Sequence, residues 1–379
     1  MKIKLLILLS FCCYICYGQK HKTNELIYEH IQKPIVKLDR SWEYSIKVNQ
    51  SNRDELLEKQ KAFEETQKYY DEIFKKEMES YNNSKAAGKL LTGKPERKIA
   101  KAYFFGSITD TDLLENTISI EGFNKGEEEF VVEIVLEGFS IISNVKVLDE
   151  KKSKRFYKTT FVNPIMVNVK DKSNNTLWNK SYFSENGEHV FLERSSDEPS
   201  YEMEKEWKEN KISLLKGLED RIIKEHINTI NEDINDNIGY PNKTLELTFF
   251  GAKGKKFDYS EIENSITKIK KAFLVLKSDN EMANKLFDES KEIWLKELSK
   301  KDIENKKVRI NKKIATGLYI NLGYVNMIQN EFKKAKEYSL EAELIRPGMG
   351  VLTGESMKLK KQIDFFEKRS TGNSDEVKY

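Results

Sequence analysis

Residues 315–348 read ATGLYINLGYVNMIQNEFKKAKEYSLEAELIRPG, and the rest of the chain is most easily understood from them. Ile314, Leu318, Leu322 and Val325 recur at three and four, the spacing of one helix face. A second helix begins near Glu331 and carries Phe332, Ala335, Tyr338, Ala342 and Ile345 before Pro347 closes it. Only a few residues separate the two, so the helices must lie antiparallel and side by side.

Tyr319, Leu322, Gly323, Phe332, Ala335, Ala342 and Pro347 stand at the spacings of a tetratricopeptide repeat, and the segment resembles that family. Two departures are visible: Asn326 stands where an aromatic is common, and Tyr338 precedes the usual large position, which Ser339 fills. The physics of the pattern is simple. Gly323 and Ala335 are small enough for two helices to approach closely, while Leu322 and Phe332 fill the seam. Ala342 admits the next helix, and Pro347 ends the second. The resemblance implies a protein-interaction module binding a peptide or helix in a groove lined by each first helix. On this chain the groove positions are Ile320, Tyr324 and Met327. Ile320 and Tyr324 do not suit a carboxylate clamp, so the expected occupant is an amphipathic helix or an aromatic-rich peptide.

One repeat cannot bury its own face. Upstream, residues 262–298 look like a degenerate copy, with Ala283, Phe287 and Ser290 keeping the small-large-small spacing. Ser260 and Glu263 are spaced as a capping box. Downstream, residues 352–366 supply a capping helix through Leu359, Ile363 and Phe366. The expected helical domain is 252–370, followed by a polar tail at 371–379.

The preceding residues, 19–251, read as a β-rich domain. Trp42, Tyr44, Ile46 and Val48 alternate at period two, and short strand-like runs follow from Val131 to Phe183. Two helical stretches interrupt them. Residues 53–81 carry Leu56, Phe63, Tyr70 and Phe74, a face expected to pack on the body. Residues 198–238 carry a long stripe from Met203 to Ile238. Leu114 to Ile118 looks strand-like, and the strand expected at Thr244 to Phe250 should join the earlier sheet. The expected class is α+β: an antiparallel, sandwich-like β domain with long helices, then a helical array.

The chain opens MKIKLLILLSFCCYICYGQK. Two lysines precede an apolar run from Leu5 to Ile15, too short to span a membrane, with small residues before Gln19. That predicts a signal peptide over 1–18 and a periplasmic or secreted bacterial protein. All three cysteines, Cys12, Cys13 and Cys16, fall inside it, so the expected mature chain has neither disulfides nor thiol chemistry. Phe11 beside Cys12 argues against a lipid anchor, and no second apolar stretch approaches spanning length.

With 65 Lys and Arg against 62 Asp and Glu, the charge is too balanced for a dedicated nucleic-acid binder. His21, His30, His189 and His226 show no metal spacing, and no nucleophile elbow or phosphate loop occurs. No cofactor or catalytic residue is expected. The leading expectation is therefore a non-enzymatic scaffold that contacts another envelope protein through its repeat region. The alternative is a carbohydrate- or peptidoglycan-directed binder or hydrolase that uses the β domain, with Trp42, Trp178 and Tyr182 stacking on sugar rings.

Overall fold

The computed structural model describes residues 20–85, 89, 93–101, 103–126, 129–346, 348 and 350–371. The expected signal peptide, Pro347 and the tail beyond 371 lie outside the described residues. The protein is α+β, with eight helices and ten strands among the described residues. It divides into two units. One runs from Leu38 to Gly239; the other joins the chain before Leu38 to the chain from Tyr240 onward. The boundary therefore differs from the expected division at 251.

The unit from Leu38 to Gly239 contains β2 (Glu43–Gln50), β3 (Asn124–Lys125), β4 (Phe130–Leu136), β7 (Ile165–Asp171) and β8 (Thr176–Tyr182) in one sheet, ordered β3-β2-β4-β7-β8. Phe130, Val132, Ile134 and Leu136 of β4 are buried and alternate with half-buried neighbours, which suits the strand at the sheet's centre. The sheet is mixed rather than antiparallel, because β2 runs parallel to both β3 and β4. Parallel pairing requires a crossover, and residues 51–129 supply one. A second, antiparallel sheet holds β5 (Ser140–Asp149), β6 (Lys154–Val162) and β9 (Gly187–Ser195).

The crossover contains α1 (Arg53–Asn83) and α2 (Thr111–Thr117). Leu114 to Thr117, which read as strand-like, are helical because Asp110 caps the first turn by accepting from the Leu113 N–H at 3.1 Å. Helix α1 extends about 46 Å at 1.5 Å per residue, yet Leu56 in its first turn is its buried residue. It does not pack along its length on the sheet as its aromatic stripe suggested. The returning chain runs beside it instead: Arg97 grips Asp71 at 2.8 and 2.9 Å, and Gln67 Oε1 accepts from the Ala100 N–H at 2.8 Å.

Helix α3 (Ser200–Asn237) serves both sheets. Trp207 stacks on Tyr157 of β6 at 4.4 Å, and Asp233 near the other end takes hydrogen bonds from Lys180 and Tyr182 of β8. Leu215 and Leu218 lie in its buried stripe. The stripe also buries Glu219, whose carboxylate accepts from the Ser107 N–H at 2.9 Å and hydroxyl at 2.7 Å. Burial pushes its carboxyl up, and the two Ser107 bonds pull the other way.

In the other unit β1 (Lys20–Ile31) pairs antiparallel with β10 (Asn242–Lys253) over their full length. The strand at Thr244 to Phe250 thus joins the N-terminal strand, not the earlier sheet. Asn24 and His30 point to the same side of β1 as Leu26 and Tyr28, and these polar residues interrupt the alternation that would mark a half-buried strand. Five helices follow: α4 (Ser260–Val275), α5 (Asn280–Leu298), α6 (Lys312–Ile328), α7 (Phe332–Ile345) and α8 (Val351–Thr371). The capping box at α4 does not form. Ser260 is already helical, its N–H donates to Asp258 at 2.9 Å, and Glu263 pairs with Lys22 at 2.7 Å.

Candidate functional site

The repeat-like positions lie on α6, α7 and α8. Every residue from Ile314 to Met327 is buried, so α6 is enclosed on all sides rather than amphipathic. Leu322, Ala335 and Ala342 are fully buried and Phe332 nearly so. Gly323 admits α8 in particular: a Cβ there would come within 2.5 Å of Leu359 Cδ2. A helix thus stands where the capping helix was expected, and it is α8 that lies against Gly323.

Ile320, Tyr324 and Met327 do not line an open groove. All three are at most 2% exposed, and the β1–β10 ribbon covers them. Phe249 lies 5.9 Å from the Tyr324 ring, 5.9 Å from Phe273 and 6.4 Å from Trp294. The Tyr324 hydroxyl is spent on Glu355 Oε2 at 2.8 Å, and burial pushes its ionisation well above the ordinary tyrosine range. Apolar side chains on that helix face need cover, and the chain's own strand provides it.

The covering is specific. Asn321, on α6, holds the backbone of Phe250 with its side-chain amide. Between α4 and α5 the Trp294 N–H donates to Ser265 Oγ at 2.6 Å, and the Ser290 hydroxyl lies 3.2 Å from Ser265 O while also bonding Leu286 O of its own helix at 2.8 Å. Each of these buried polar groups is thus satisfied, as a packed interior requires. The long connection after α5 is pinned by Arg309, which pairs with buried Glu297 and donates to Asp258 O at 2.7 Å.

The opposite side of α7 is open. Glu337, Leu340, Glu341 and Leu344 form one stripe at helical spacing, with Leu340 56% and Leu344 69% exposed. Leu340 and Glu341 line a groove of about 700 Å³ with Leu295, Lys301, Tyr319 and Tyr338. Lys301 stands 4.8 Å above the Tyr319 ring and 3.9 Å from Glu341. The four-residue spacing of Leu340 and Leu344 is plain in the sequence, but the repeat resemblance points to the first helix of the pair.

In the unit from Leu38 to Gly239, Trp178 and Tyr182 are core residues and present no face to a sugar ring, and Trp42 packs 6.4 Å from Phe130. His226 lies under Phe183, their rings 3.4 Å apart and nearly parallel, in a cavity of about 500 Å³. Its Nδ1 is 3.0 Å from Asn163 Nδ2, and burial pushes its pKa down to about 4. Phe183 has φ of +54°, unusual for a bulky residue. His21 and His30 lie on β1 of one unit, and His189 on β9 and His226 on α3 belong to the other. Among the described residues no cluster of His, Cys, Asp or Glu could hold a metal, and no helix is long and apolar enough to cross a membrane.

No family model matches the chain, and no curated protein matches it either.

Proposed function

We propose that the chain is an exported, non-catalytic interaction protein whose tetratricopeptide-like helices dock a protein partner in the cell envelope. The export reading rests on the basic-then-apolar segment at 1–18. The repeat reading rests on the close approach of α6 and α8 at Gly323 and on the buried alanines of α7. Because its own ribbon fills the face carrying Ile320, Tyr324 and Met327, the docking face is the groove beside α7.

The observation that carries this reading is the exposed pair Leu295 and Leu340 in a groove bordered by Glu337 and Glu341, with exposed Leu344 one helical turn beyond Leu340. Contiguous exposed leucines rimmed by charge mark an interaction surface more than scattered ones do. Its chemistry fits one occupant: an amphipathic partner helix that sets leucine-like side chains at three-and-four spacing against these leucines and basic residues against the glutamates. The test is crosslinking in the native envelope fraction with the full chain and with a Leu340→Glu, Leu344→Glu double variant. Both substitutions are on the surface and leave the core intact. A helical partner held by the full chain and released by the double variant supports the reading. The same partners held equally by both variants would move the interaction elsewhere.

A further inference from the structure

Phe161 of β6 pairs with Gly187 of β9, and Ile165 of β7 pairs with Tyr182 of β8. The chain therefore crosses between the two sheets twice at one place, through residues 162–164 and again through 183–186. The cavity of about 500 Å³ lies at this double crossing, and His226 of α3 completes its wall. That volume falls within the range of small-molecule sites, roughly 300–1,000 Å³. Two local features shape it. Gly187 lies against the Phe161 ring, where a Cβ would come within 2.6 Å of Cζ. Phe183 holds a left-handed backbone conformation that bulky side chains rarely adopt, and its ring lies flat on the His226 imidazole.

The polar atoms at the wall are only half used. Asn163 is 3% exposed, and its Nδ2 donates to His226 Nδ1 at 3.0 Å. An imidazole that accepts at Nδ1 carries its proton on Nε2, and burial keeps this ring neutral. Asn163 Oδ1, an acceptor, and His226 Nε2–H, a donor, make no hydrogen bond among the described residues, yet neither is sealed from solvent. A nearly buried amide with an open, unpaired oxygen on a cavity wall marks a position for a ligand group. Exposed Ser181, Glu185 and Asn186 add a hydroxyl, a carboxylate and an amide around the mouth.

Charge and shape narrow the occupant. Among the described residues of the lining Glu185 alone is charged, so an anion gains nothing there. A cation would meet the Nε2–H donor at the inner end. Phe161 and Phe183 supply an aromatic wall beside these neutral donors and acceptors. Hydroxyls, which both donate and accept, carried on a ring with an apolar C–H face, match both halves of the lining.

We propose that this cavity binds a neutral sugar ring. Its hydroxyls donate to Asn163 Oδ1 and Glu185 and accept from His226 Nε2–H and the Asn186 amide, and its C–H face lies against the aromatic wall. The site belongs wholly to the unit from Leu38 to Gly239 and stands whether or not the α7 groove has a partner.

The full chain is titrated with methyl glucoside, methyl galactoside and N-acetylglucosamine, and its histidine rings are followed in long-range ¹H–¹⁵N spectra. A His226→Gln variant assigns the signal of interest. Glucuronate and glucosamine, sugar rings carrying a negative and a positive charge, are the controls. The expected result is a saturable shift of the His226 ring with at least one neutral sugar and weaker binding of both charged ones. Glu185 and Asn186 are exposed, so Glu185→Gln and Asn186→Ala keep the fold. Each should weaken the sugar about two- to tenfold, the effect of one hydrogen bond. Three outcomes would overturn the proposal: no saturable His226 shift with any neutral sugar at tens of millimolar, a charged sugar binding at least as tightly, or unchanged affinity in both variants.

Discussion

Asn321 bonds Phe250 as a neighbouring strand would: its Nδ2 donates to the Phe250 carbonyl at 2.8 Å, and its Oδ1 accepts from the Phe250 N–H at 2.7 Å. One side chain therefore closes the edge of a two-stranded ribbon deep inside a helical unit. Asn321→Leu fills much the same space but leaves both backbone groups buried and unpaired. At about 1–3 kcal/mol for each of the two orphaned groups, the variant should lose about 2–6 kcal/mol. Urea unfolding followed by the fluorescence of Trp294, on α5 of the same unit, measures it. A loss under 1 kcal/mol would mean that the ribbon is held by apolar contact alone.

Two glycines of α6 are expected to differ. A Cβ at Gly317 would meet Phe250 Cβ at 2.7 Å, an atom fixed to the ribbon's backbone. At Gly323 the obstacle is Leu359 Cδ2, a methyl at the end of a rotatable chain. Alanine is favoured over glycine in a helix by about 1 kcal/mol, and overpacking costs about 1–3 kcal/mol. Gly317→Ala should therefore destabilise by about 1–2 kcal/mol, while Gly323→Ala stays within about 1 kcal/mol of the parent. Thermal melts of both variants decide the order.

Tyr324→Phe removes the bond to Glu355 and keeps the ring against Phe249. The loss expected for a hydrogen bond to a charged group is about 1.5–3 kcal/mol. Partner capture by the envelope fraction should be unchanged at temperatures where the variant is folded. If capture fails while the fold holds, Tyr324 belongs to the docking face after all.

His226 sets a pH dependence with a definite sign. Its pKa falls from an ordinary 6.5 to about 4 in the folded chain. Above pH 6.5 neither state holds the proton and the burial of a neutral ring is fully favourable. As pH drops from 6.5 toward 4 the unfolded chain binds a proton that the folded chain refuses, so stability is lost in that window. Allowing for the ring's partial exposure, the loss is on the order of 2 kcal/mol. His21, His30 and His189 are lowered too and contribute with the same sign. The difference between parent and His226→Gln therefore isolates this residue: the variant's stability should fall less over pH 6.5–4 by about that amount. Parallel pH profiles would contradict it.

Much of the secondary structure was legible because its causes are local. Asp171 shows why. Its carboxylate accepts from the N–H groups of Ser173 and Asn175, and so builds the β7–β8 turn from residues visible in the sequence. The Asp279 and Asn311 caps of α5 and α6 are equally local. What escaped notice is non-local. Whether Leu245, Leu247 and Phe249 pair with β8 or with β1 is decided by packing far along the chain, and alternation alone does not choose. The candidate site failed for the same reason. Ile320, Tyr324 and Met327 have the composition of a groove lining, but that composition equally suits a face covered by the chain's own Phe249. Glu337, Leu340 and Leu344 were readable as a stripe. Only the burial of the opposite face shows that this stripe is the one left outside.

The pairing of β1 with β10 makes the ribbon a hairpin whose turn is an entire folded unit. Gln32 N–H donates to Pro241 O at 2.9 Å, so the two ends of residues 33–240 leave and re-enter at almost one point. The order of synthesis then matters. β1 emerges early yet finds its partner only after Asn242 and the residues beyond it have been made, so it waits as an unpaired strand while the intervening unit folds. Closing so long a loop costs little more than closing a shorter one, about 0.6 kcal/mol per doubling of length. Time is the heavier burden, since the strand must stay extended and unaggregated throughout. Its composition suits that wait: Lys20, Lys22, Glu25 and Glu29 are spread along it, and charges on an unpaired edge discourage wrong partners. The helices can close around the ribbon only after the residues beyond Asn242 have been made, so this unit is completed later than residues 38–239.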